Sequence, residues 1–122
     1  MLGVVFVPIN STEFRQFEID GYGPDGANAE INSVFFARAD RTSDEKLFVM
    51  VSWHTNNGAL YRTYIYEKPQ LNSGRRKLTY LAQLSQAFGM ECDSCPHSDH
   101  PGRPARYKTA ADVKAELKRL IK

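Results

Sequence analysis

Hydrophobic positions along the chain follow more than one rhythm. Residues 2–7, "LGVVFV", are almost continuously apolar, the pattern of a short buried strand. Three later stretches are rich in β-branched and aromatic residues: "AEINSVFFARA" (29–39), "KLFVMVSWHT" (46–55) and "ALYRTYIYE" (59–67). The last two flank Asn56-Asn57-Gly58. Asn-Gly tolerates positive φ at both central positions of a tight turn, so the spacing predicts a β-hairpin. From residue 75 the period lengthens. In "RRKLTYLAQLSQAFG" (75–89), Leu78, Leu81, Leu84 or Ser85, and Phe88 fall on one helical face and Gly89 stops the helix. A second amphipathic helix is predicted over 109–122. Thr109 and Asp112 make a capping-box-like start, and Val113, Leu117, Leu120 and Ile121 share a side.

Strands followed by helices point to an α+β domain. The expected organisation is a single domain, 1–122. It is mainly β over 1–74 and helical over 75–89, with a Cys/His-rich loop over 90–108 and a C-terminal helix over 109–122. A Gly- and Pro-rich loop, "EIDGYGPDGANAE", precedes the second strand.

The chain's 122 residues, 42% hydrophobic and 25% charged, suit one soluble globular domain. No apolar run reaches the length of a membrane span, and no basic residue precedes the opening apolar run. The cytoplasm is the expected compartment (a host's, if the gene is carried by a phage). Charge is uneven. Residues 1–74 hold six basic against nine acidic residues, and residues 75–122 hold ten basic against five acidic. A basic second half favours a polyanionic partner; the alternative is a solvated lysine-rich face.

Strand period sorts the side chains further. Leu47, Val49, Val51 and Trp53 make the better core face of 46–54, which turns Phe48 and His54 the other way. In 59–67 an arginine in the core would be costly without a partner, so Arg62, Tyr64 and Tyr66 are expected to face outward beside Phe48 and His54. Rings and cations interleaved on one sheet face suit single-stranded nucleic acid, DNA more than RNA. Bases stack on rings while cations track phosphates. Arg38, Lys68, Arg75, Arg76 and Lys77 would extend the groove. The competing reading is that the same tyrosines pack the sheet against a helix.

A Gly-rich lead-in, three strands around a charged turn and an "NG" turn, then a helix ending in "FG" resemble phage-type single-stranded-DNA-binding proteins. These are small OB-fold proteins of replication and recombination. The similar stretch runs from "AEINSVFF" to "LSQAFG", about half the chain. The resemblance implies a small OB-like antiparallel barrel or sheet, with one helix after the central hairpin and a C-terminal helix. It implies non-catalytic DNA binding by Phe48, His54, Arg62, Tyr64 and Tyr66. A fifth strand is then expected in 13–19, "EFRQFEI", or in 104–108. The chain departs from such proteins in ending on a basic helix, "KAELKRLIK", where many carry an acidic tail.

Cys92, Cys95, His97 and His100 read as C-x2-C-x-H-x2-H. Two thiolates and two imidazoles are a tetrahedral zinc set, here structural because four protein ligands leave no open position. A metal-free polar loop and a redox dithiol are the alternatives, as is a set in which His54 replaces one histidine. "GYGPDG" lacks the Lys-Ser/Thr of a phosphate loop, and His54 has no sequence-placed nucleophile, so catalysis is not expected. The other function class is a small interaction module, a phage-type inhibitor or adaptor. It would use the basic C-terminal half, with 109–122 against an acidic protein partner. Self-association is compatible with either class.

Overall fold

The central strand is apolar on both sides because layers cover it on both sides. The computed structural model describes residues 2–23, 28–39, 44–55, 58–70, 76–93 and 105–121. Among these, β1 (Leu2–Pro8) and β2 (Phe14–Gly21) form a two-stranded antiparallel sheet. The strands β3 (Glu30–Ala37), β4 (Lys46–Thr55), β5 (Gly58–Tyr66) and β6 (Met90–Asp93) form a second sheet, in that order and antiparallel throughout. Two helices, α1 (Ala82–Phe88) and α2 (Ala110–Ile121), complete the α+β fold.

One face of β4, with Leu47, Val49, Val51 and Trp53, packs against Val5, Val7, Phe17 and Ile19 of the β1–β2 ribbon. The opposite face, with Phe48 and Met50, joins Ile65 of β5 under Phe88 of α1 and Val113 and Leu117 of α2. The larger sheet thus separates two apolar clusters.

Local chemistry explains the turns and ends. Asn10 Oδ1 accepts the Thr12 and Glu13 backbone N–H groups, each at 2.9 Å, and folds the β1–β2 turn. Gly3 stands at a close approach: a Cβ there would lie 3.2 Å from the Tyr22 ring, which would have to give by a few tenths of an ångström. The capping box of α2 forms as expected. Thr109 Oγ1 accepts the Asp112 N–H at 3.2 Å, and Asp112 Oδ2 accepts the Thr109 N–H at 3.2 Å. Gly89 ends α1 with φ of 63°.

The expected strands at 2–7, 29–39, 46–55 and 59–67 all form, and of the two places for a fifth the chain uses 13–19. Thr55 pairs with Gly58 as the hairpin requires, while Asn56 and Asn57 lie outside the described residues. Two expectations are corrected. The helix expected over 75–89 starts only at Ala82. Residues 76–81 instead run extended and join the sheets. The Glu18 N–H donates to the Arg76 carbonyl at 2.6 Å and the Leu78 N–H to the Glu18 carbonyl at 2.8 Å. The Glu67 N–H donates to Thr79 at 2.9 Å, and the Leu81 N–H to Ile65 at 2.8 Å. Pairing with two strands outweighs helical periodicity here: Leu78 serves the cluster beneath the ribbon, while Leu81 and Leu84 serve the helix-side cluster. The second correction is β6, which pairs with β5 where a loop over 90–108 was expected.

Among the described residues no ladder joins β1 to β3, so no closed barrel forms. No helix among them is long and apolar enough to cross a membrane.

Candidate functional site

Four tyrosines meet where β2 and β5 lie face to face. Tyr66 is fully buried, its hydroxyl 2.8 Å from that of Tyr22 and donating to Asp20 Oδ2 at 3.1 Å. Burial pushes the Tyr22 and Tyr66 hydroxyls well above the ordinary tyrosine range. Tyr64 is half-buried, its ring 5.0 Å from that of Tyr22 and 6.1 Å from that of Tyr80. The Arg62 guanidinium lies 4.9 Å over the Tyr64 ring. Burial raises the Tyr64 hydroxyl while the Arg62 charge opposes the rise. Arg62 is thus only half-buried and sets its charge against the Tyr64 ring.

This geometry corrects the expected sheet face. Phe48 is fully buried on the other side of the sheet, stacked on Phe35 at 5.1 Å and edge-on to Phe88 at 6.3 Å. Tyr66 is sealed under the ribbon and Leu78. Phe48 and Tyr66 are structural, and the rings of β5 do not continue into those of β4. The register gives the cause. Val49 lies opposite Tyr64 and Val51 opposite Arg62, so these pairs share a face, while Phe48 lies opposite Ile65.

His54 is exposed and stands on the helix side of the sheet, away from Arg62 and Tyr64. Its Nε2 lies 3.1 Å from Ser52 Oγ and 3.7 Å from Glu30 Oε2. A nucleophile–base–acid relay needs the serine and the carboxylate on different ring nitrogens. Here both approach Nε2, and Ser52 is sealed, its hydroxyl donating to Asn32 Oδ1 at 3.0 Å.

The basic residues separate as well. Arg38 follows β3 on the exposed surface, and Arg76 is exposed beside β2. Lys68 and Lys77 line one open cavity of about 200 Å³ with Glu67, Gln70 and Thr79, floored by Phe17 and Leu78. Arg75 lies outside the described residues, as do Cys95, His97 and His100. Cys92 is half-buried in β6 with its sulfur in a disulfide. Among the described residues no three metal-ligating side chains converge.

The basic helix has its own partners. Lys114 Nζ sits 5.0 Å over the Phe35 ring, and Arg119 pairs with Glu116.

Sequence reading missed the outer face of the ribbon. Phe6 is 59% and Phe14 61% exposed, with Leu2 and Ile9 also more than half exposed. Phe6 pairs with Gln16 and Phe14 with Pro8, so both rings point away from the face carrying Val5 and Phe17. The signal in "LGVVFV" is partial: both faces of the strand are apolar, and among the described residues only one of them is covered. Glu13 is exposed and Glu18 half-exposed on the same ribbon. Comparison with protein-family models, with curated proteins and with solved structures finds no match for the chain.

Proposed function

We propose that the chain is a non-catalytic interaction module that docks a protein partner on the outer face of the β1–β2 ribbon. One observation carries this reading: four large apolar side chains, Leu2, Phe6, Ile9 and Phe14, stand more than half exposed on one small hairpin. Rings exposed on this scale on a chain of this size mark a binding surface more often than a solvated one. The acids at Glu13 and Glu18 select a partner surface that is apolar at its centre and basic at its rim. The reading moves the docking face away from residues 109–122, because Lys114 and Arg119 are engaged within the chain.

A second reading keeps single-stranded nucleic acid, as the resemblance to phage-type DNA-binding proteins implies. Its support is narrower than a whole sheet face: Arg62 over Tyr64, Tyr64 beside the partly exposed Tyr80, and Lys68 and Lys77 lining one open cavity with Thr79. In this reading the two sheets, joined through residues 76–81, are an open OB-like barrel, and the protein works in the cytoplasm.

Two variants separate the readings. Phe6→Ser/Phe14→Ser removes the exposed rings, and Arg62→Ala/Tyr64→Ala removes the cation–ring pair. A purified partner, first found with the wild type, should lose affinity for the Phe variant by a hundredfold or so, the cost of two interface aromatics. It should bind the Arg62/Tyr64 variant unchanged. Salt-sensitive anisotropy of labelled oligo-dT, abolished in the Arg62/Tyr64 variant and intact in the Phe variant, would reverse the order.

A further inference from the structure

Residues 67–70, just past β5, and residues 77–79 make two walls of the open cavity of about 200 Å³. The walls are tied where the Glu67 N–H donates to the Thr79 carbonyl at 2.9 Å. Phe17 and Leu78 form the floor, and both are buried in the apolar cluster beneath the ribbon. An apolar base with a few polar groups at the rim is the usual form of a small-molecule site. The volume suits a compact ligand, since drug-sized molecules occupy about 300–1,000 Å³.

Charge narrows the class. Glu67, Lys68 and Lys77 are the ionised side chains of the lining. Glu67 is already answered by Lys46, whose Nζ lies 3.0 Å from its carboxylate. Lys68 and Lys77, one on each wall, are exposed, and among the described residues neither ammonium makes an ion pair or a hydrogen bond. Glu18 stands beside Lys77 in the backbone pairing yet forms no ion pair with it. Two cations lining one cavity without a counter-charge favour an anion there. Lysine is a compact point charge that suits phosphoryl oxygens, whereas a carboxylate is better matched by the fork of an arginine. A phosphate monoester carries a charge of about −1.5 to −2 at pH 7, which two lysines balance.

We propose that this cavity binds a small phosphate monoester, its phosphoryl group between Lys68 and Lys77 and its carbon body over Phe17 and Leu78. The site shares no residue with the outer face of the ribbon, so it stands apart from the docking of a protein partner there.

Titration of the isotope-labelled full chain with phenyl phosphate at fixed ionic strength, followed by amide NMR, tests this. The amides of Lys68, Gln70, Lys77 and Thr79 should shift saturably, with a dissociation constant of about 1 mM or tighter. Phenol, which lacks the charge, should shift nothing, and inorganic phosphate, which lacks the ring, should bind more weakly. Lys68→Ala and Lys77→Ala should each weaken binding about tenfold. Both side chains are exposed, so the thermal melt should not move. Phe6→Ser/Phe14→Ser should leave binding unchanged. Displacement of phenyl phosphate by a mononucleotide, or only by an oligonucleotide bearing a 5′-phosphate, keeps the site and identifies the source of the group. The absence of any saturable shift overturns the proposal. So does binding indifferent to both lysine variants. So does displacement by a 5′-hydroxyl oligonucleotide as readily as by the phosphorylated one, which would make the lysines part of a surface that tracks a strand.

Discussion

Tyr22 and Tyr66, from different sheets, place their hydroxyls 2.8 Å apart, and Tyr66 donates onward to Asp20 at 3.1 Å. The Tyr66 proton goes to Asp20, so the Tyr22 proton is the one shared between the two rings. This short chain of donors fastens the end of β2 to β5.

Alkaline pH should loosen that fastening. Both hydroxyls are held above the ordinary tyrosine value by burial. The folded state therefore keeps protons that the unfolded chain loses near pH 10. Stability is complete below that pH and falls as pH rises above it, because the unfolded state then binds fewer protons. Urea melts at pH 7, 10 and 11 should show the decline, and Tyr66→Phe should make it shallower. At pH 7 the same variant should cost about 1–3 kcal/mol by leaving the Tyr22 and Asp20 groups with poorer partners.

Ser85 should be costly to remove. It is buried, accepts the Ile65 backbone N–H at 2.9 Å and donates to the Leu81 carbonyl at 2.8 Å. Ser85→Ala leaves the Ile65 N–H orphaned in the sheet, a loss of about 1–3 kcal/mol. Chemical denaturation gives the magnitude. Faster amide exchange at Ile65 would identify the cause, and an unchanged rate there would reject it.

The start of α2 predicts a smaller effect. Thr109→Ala removes the acceptor for the Asp112 N–H and should cost about 1 kcal/mol. Asp112→Ala should act through the Lys108 and Thr109 N–H groups that its carboxylate accepts. Thermal melts of the two single variants and the double variant would measure their coupling.

Cys92 decides between metal and disulfide, since a disulfide sulfur has no thiolate to give a zinc ion. Protein purified under reducing conditions, without chelator, should carry about one zinc per chain if Cys92, Cys95, His97 and His100 are the ligands. Oxidation to the disulfide should release it. A reduced protein with well under one zinc per chain rejects the metal reading.

Much of the fold was legible because strand length, the Asn-Gly turn and the Thr109–Asp112 cap are local signals. The site was less legible, and the fault lay in one inference. An outward Arg62 follows only if a buried arginine lacks a partner, and the neighbouring Tyr64 ring supplies one. The hairpin itself contained the correct answer. A two-residue turn puts Thr55 opposite Gly58, and counting back along the ladder puts Val51 opposite Arg62 and Val49 opposite Tyr64. The extended path of residues 76–81 was beyond such reasoning. Its leucines satisfy a helical period, and partners a dozen or more residues away, Glu18, Ile65 and Glu67, pull it straight. Nor does any local pattern announce that one side of "LGVVFV" stays uncovered; that depends on how many layers the rest of the chain can supply.

The link through Arg76–Leu81 bears on the order of events during synthesis. Glu18 leaves the ribosome early, yet the backbone groups it bonds belong to Arg76 and Leu78, almost sixty residues later. The Glu18 edge of the first hairpin therefore stays unpaired while most of the protein is still being made, even once β4 is present to cover the inner face. A nascent chain halted before residue 76 should leave that edge open to chaperones, and one with Leu81 clear of the ribosome should close it.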